Sequence, residues 1–166
     1  MRWLFVLLLT VRVAHAEEPE RSVIAGLGTA MSNQTAGWAF RVVNRIENKH
    51  TDDDAQIIRG GIVGLDTWGA GGRWGLSFPA GGYFGAQVGS VRTTVGFGLG
   101  MYAVEKRSEE TEGAGGIAPF ANATVEKLTG DLLLVLEGTV SRQVIIDRTD
   151  HNVYTVILMA GRRLGR

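Results

Sequence analysis

The chain has 166 residues, with 17 basic and 17 acidic side chains, 24 glycines and no cysteine. The lack of cysteine excludes disulfide bonds and thiolate zinc sites. The charge balance argues against a general nucleic-acid binder, which carries a basic excess, and the length suits one domain.

The first 16 residues have the three parts of a secretion signal. Arg2 gives a basic start, an apolar stretch follows from Trp3, and Ala14-His15-Ala16 supplies small residues before a cleavage point. The apolar stretch is too short to span a bilayer as a helix, which needs about 20 residues. The expected division is a signal peptide over residues 1–16, an N-terminal extension over 17–21 and a single β domain over 22–166. Cleavage removes Arg2 and Arg12 and leaves a small acidic excess, with no polybasic run to bind a membrane surface. After residue 16 no apolar run is long enough for a membrane helix.

Eight strands are predicted, at residues 22–32, 37–46, 57–68, 73–87, 91–105, 117–128, 132–144 and 153–164. Short breaks rich in Gly, Asn, Ser and Asp separate some of them, as turn chemistry requires. Residues 47–56, 106–116 and 147–152 are longer, charged connections. The glycines argue against helices, where each costs about 1 kcal/mol against alanine. They suit a sheet that curves sharply to close.

The fifth strand carries the clearest pattern. Val91, Thr93, Val95, Phe97, Leu99, Met101 and Ala103 fall on one face, and Arg92, Thr94, Gly96, Gly98, Gly100 and Tyr102 on the other. A period of two marks a strand between two environments. The second, fourth and seventh strands share it, although Leu133 and Val135 blur the seventh. The first, third and eighth have apolar residues on both faces. In a soluble barrel the apolar face points inward; in a membrane barrel it points to lipid. A face of bare glycines is a poor solvent face but suits a narrow interior. Arg41, Arg45, Arg59, Arg92, Glu126 and Glu137 lie within strands and are expected to pair across that interior, because an unpaired buried charge is costly.

These alternating Gly-rich segments, the export signal and the aromatic residues Trp38, Trp68, Trp74 and Tyr154 near strand ends resemble the small outer-membrane β-barrels of diderm bacteria. The resemblance covers residues 22–164 and is one of pattern, not of a sequence motif. It implies an antiparallel up-and-down barrel with both termini in the periplasm, outer-membrane lipid around it and the barrel-assembly machinery as a partner. The implied role is non-enzymatic: structural, adhesive or surface interaction. Eight strands leave an interior filled by side chains, which argues against a wide diffusion pore. Two features depart from the pattern. The chain ends in Leu164-Gly165-Arg166 and not in an aromatic residue, and the connection 47–56 falls at the end where turns should be short. The alternative is an exported soluble, lipocalin-like barrel with a small apolar ligand in its mouth.

The remaining motifs have plain readings. His50-Thr51-Asp52-Asp53-Asp54 lacks the spacing of a calcium loop and reads as a solvated tip. Glu109, Glu110 and Glu112 read as a soluble loop, with lipopolysaccharide-bridging cations as the sharper option. Residues 113–118 loosely fit a dinucleotide fingerprint but lack the strand–turn–helix setting. His151, with Asp150, Glu137 and Ser141 as the nearest partners, lacks the motif of a membrane hydrolase. No catalytic residue, metal ligand or cofactor is therefore assigned. Phe97→Asp is expected to be far more damaging than Gly98→Ser.

Overall fold

The computed structural model describes residues 19–32, 34–51, 56–106, 114–144 and 151–164. The strands are β1 (Glu20–Ser32), β2 (Thr35–Thr51), β3 (Gln56–Ala70), β4 (Arg73–Val88), β5 (Val91–Lys106), β6 (Ala114–Thr129), β7 (Leu132–Gln143) and β8 (His151–Leu164). Each pairs antiparallel with the next, and β1 pairs with β8 from Arg21↔Leu164 to Ser32↔Val153. The barrel is closed, so no sheet edge is left unpaired. The predicted fold class and all eight strands are present. The signal peptide, residues 1–16, lies outside the described residues.

Period-two alternation sets the two sides of the wall. On β5 the outward residues include Phe97, 62% exposed, and Leu99, 58% exposed, while Arg92, Thr94 and Tyr102 are buried inside. The other strands follow. Trp38, Phe78, Phe84, Leu134, Leu136, Val156 and Leu158 face outward, and Arg41, Arg45, Tyr83, Glu126 and Glu137 face inward. A water-soluble protein seldom exposes so continuous an apolar surface. The soluble, lipocalin-like alternative needs the opposite sidedness and is overturned by these positions.

The barrel has two distinct ends. β1 begins and β8 finishes at the terminal end, where β2 passes to β3, β4 to β5 and β6 to β7. At the loop end β1 turns into β2 and β3 into β4, and the longer connections follow β5 and β7. Between β3 and β4 the turn is Gly71-Gly72, with φ of 61° and 71°. Two consecutive left-handed residues make the tight hairpin whose twist matches its strands, and glycine adopts them without strain. Lower on the same pair, the ladder skips Gly64 and Leu65, opposite Phe78 and Pro79. Proline brings no N–H to the ladder.

One strand differs from its prediction in a way that matters. β2 runs on to Thr51 and β3 starts at Gln56, so the expected long connection 47–56 shrinks to residues 52–55. The charged residues from Glu47 onward read as loop because charge usually means solvent. In a wall with a polar interior it does not: Glu47 is buried and faces the lumen. The terminal end therefore has short connections throughout, as the resemblance requires.

Candidate functional site

The lumen is filled in three zones. At one side Ile24, Val43, Leu128, Leu133, Val135, Ile157 and Met159 belong to an apolar cluster. This is where Leu133 and Val135 go, which blurred the pattern of β7. Ile58, Ile62, Tyr83 and Phe120 form a second cluster. The lumen also holds a network of charges, which touches the second cluster at Tyr83.

Its geometry begins on β2. Arg41, Arg45 and Glu47 are spaced by even numbers of residues, so all three project to one face. Arg41 grips Asp66 of β3 with two nitrogens, its Nε donating to Oδ1 at 2.6 Å. The same guanidinium pairs with Glu137 of β7 and donates to Thr139 Oγ1 at 3.0 Å. Arg45 pairs with Glu126 of β6 and lies 3.7 Å from Glu137. Arg92 of β5 reaches both oxygens of Glu47 at 2.9 Å and Glu126 at 3.4 Å. Asp66, Arg41, Glu137, Arg45, Glu126, Arg92 and Glu47 thus form one chain of alternating sign across the barrel.

Polar neighbours complete it. The Tyr83 hydroxyl donates to Glu47 at 3.0 Å, and its ring lies 5.5 Å from the Arg45 guanidinium carbon. Thr124 donates to Glu126 at 2.9 Å, and Thr139 donates to Glu137 at 2.8 Å. Arg92 and Glu126 are each only 1% exposed. Buried carboxylates and guanidinia persist when they are paired, and each of these is, although the Nε atoms of Arg45 and Arg92 have no hydrogen-bond partner among the described residues. Two-nitrogen grips on carboxylates also fix geometry, which is arginine's advantage over lysine.

Five of the six charges singled out in the sequence meet here: Arg41, Arg45, Arg92, Glu126 and Glu137. Arg59 does not. It sits three residues inside β3 on the exposed outer face, paired in register with Phe84, and its assignment to the lumen is corrected. Glu47, Asp66 and Tyr83 were missed. Parity along β2 marks Glu47, which shares the face of Arg41 and Arg45.

The arrangement can brace a wall, because its ion pairs tie β2 to β3, β5, β6 and β7 across the lumen. Beside Arg41 and Asp66 a cavity of about 30 Å³ remains, room for about one water molecule. The hydrolase alternative gains nothing from the described residues. Ser141 donates to the Val153 carbonyl at 3.5 Å, and Glu137 is engaged by Arg41 and Thr139. The side chains of His50 and His151, Asp150, and residues 52–54 and 109–112 lie outside the described residues.

No family model and no curated protein matches the chain. Solved structures do. Neisserial surface protein A has a TM-score of 0.61 at 10% identity, covering 91% of this chain and all of that one. The N-terminal β-barrel domain of Pseudomonas aeruginosa OprF has 0.60 at 10% identity, covering 90% and 100%. The outer-membrane enzyme PagL has 0.55 at 12% identity, covering 82% and 97%. At such identities the likeness is one of fold. With the inverted sidedness of the wall, it defines the class: an eight-stranded β-barrel of the bacterial outer-membrane type.

Proposed function

We propose that the chain is a non-enzymatic barrel of the outer membrane, with a structural or surface-interaction role at its loop end. The carrying observation is the sidedness: an ion network spans the lumen while aromatic and aliphatic side chains cover the outside. Lipid would supply the apolar surroundings the outer wall needs, and outside the step at Gly64 and Leu65 the strands of the closed wall pair with one another. Trp38, Trp74 and Tyr154 face outward near the loop end, where amphipathic rings favour the membrane interface. Export through the N-terminal signal and insertion by the barrel-assembly machinery belong to the same reading. Nucleic acid has no place in it.

Fractionation tests it. The expressed chain is expected in the outer-membrane fraction, with a mass that places its N-terminus at Glu17. It is expected to run faster on a denaturing gel unheated than boiled. Recovery from the soluble periplasm overturns the proposal. In planar bilayers the refolded barrel is expected to give no porin-sized conductance. Large steady openings would mean that the network does not close the lumen.

A further inference from the structure

The outer wall is not charge-free. Among the described residues at the terminal end, Arg21, Arg59, Lys127 and Arg162 are exposed basic side chains, against Asp131 as the exposed acidic one. No segment of the sequence is polybasic; closure of the barrel brings the four to one end from β1, β3, β6 and β8. Register places three of them close. Arg21 pairs with Leu164 and Val23 with Arg162, so the two arginines are diagonal neighbours on one face. Lys127 pairs with Leu134, which pairs with Ala160, two residues from Arg162. Arg59 stands apart on β3.

Two further observations give these residues a common setting. Each borders the apolar belt: Val23, Leu132, Leu134 and Leu164 lie around the first three, and Phe84 beside Arg59. Long basic side chains can lay their stems on such a surface and carry their charge to its edge. Arg21, Arg59 and Lys127 also have no ion-pair partner among the described residues, while Arg162 reaches Asp131 only at 4.0 Å, both side chains being largely exposed. Such an exposed pair contributes little and leaves Arg162 available. At the loop end the outer face instead presents Trp38, Trp74 and Tyr154.

We propose that Arg21, Arg59, Lys127 and Arg162 form a rim that binds the phosphate groups of anionic phospholipids in the leaflet around the terminal end. This rests on the membrane reading above and adds a lipid preference to it. Opposite charge at the edge of an apolar belt fits a diacyl phosphate lipid, whose chains lie on the belt and whose headgroup meets the rim. The rim also fixes the barrel's height, since moving it into hydrocarbon strips water from four charges.

The test reconstitutes the refolded mature barrel in phosphatidylcholine bilayers containing a minor fraction of phosphatidylglycerol. Spin-labelled lipids of each headgroup report which is held at the protein surface. A preference for phosphatidylglycerol of about five-fold or more is expected, the scale of a single well-placed basic side chain. It should fall towards parity in high salt. The variant R21Q/R59Q/K127Q/R162Q should lose it while keeping heat-dependent migration, and R142Q at the loop end should retain it. A barrel that inserts but holds both lipids equally overturns the rim. One that does not insert into these bilayers overturns the membrane reading as well.

Discussion

Glu126→Leu is expected to destabilise the barrel by about 3–5 kcal/mol, the cost of stranding a buried charge. Glu126 stands between Arg45 and Arg92 and is itself 1% exposed. Without it, Arg92 keeps Glu47, but Arg45 keeps only Glu137 at 3.7 Å, which Arg41 already grips. Arg45→Met should cost a similar amount, because it leaves Glu126 with the Thr124 hydroxyl and, as its ion pair, only the longer contact to Arg92. The informative variant is the double one. In R45M/E126L, Arg92 still holds Glu47 and Arg41 still holds Asp66 and Glu137, so no charge is stranded. It is expected to recover most of the loss, since an apolar pair of similar volume often replaces a buried ion pair without penalty. Urea unfolding of the refolded barrel, followed by tryptophan fluorescence, gives the three values. Losses that simply add would show that the network is not coupled.

The same network shows what alternation can and cannot reveal. Where one face is apolar and the other polar or bare, as on β5, parity alone assigns both sides. Where the lumen is itself apolar, parity loses its sign. On β3, Ile58 and Ile62 pack inside while Ile57 and Val63 face out, so hydrophobicity does not separate its faces. The charges of β3 do. Asp66 and Arg59 lie at opposite parity, so they cannot both enter the lumen. Asp66 shares the inward parity of Ile58 and Ile62 and stands deep in the strand, where a carboxylate needs an internal partner. Arg59 lies near the strand end, where its long side chain reaches the wall's edge from outside. Glu47 was hidden for another reason: a charged stretch reads as loop until the interior is known to be polar. Ion-pair partners on β2, β6 and β7 are far apart in sequence, and only closure and register bring them together.

Phe97 and Gly98 carry the second large effect, and here the structure changes the expectation. Phe97 stands near the middle of β5 on the outer face, so Phe97→Arg places a charge in the belt, at a cost of about 2–4 kcal/mol at bilayer mid-depth. Phe97→Leu keeps the apolar contact and should be nearly silent. Gly98→Ser is not the mild control that its bare face suggests. A side chain there runs into the Ala80 carbonyl, with Gly81 Cα at 2.6 Å and Phe120 Cε1 at 2.8 Å. Overpacking of this kind costs about 1–3 kcal/mol. The suitable control is Gly138→Ala, because Gly138 is exposed on β7 with nothing within 4 Å of an added carbon. Measured in phospholipid vesicles, the order of loss should be Phe97→Arg, then Gly98→Ser, then Gly138→Ala close to none. Repeating Phe97→Arg in small micelles separates the causes: a lipid-facing charge should cost less where water lies near, whereas the Gly98 clash is internal and should not change. Equal losses for Phe97→Arg in both media would mean that Phe97 faces protein and not hydrocarbon.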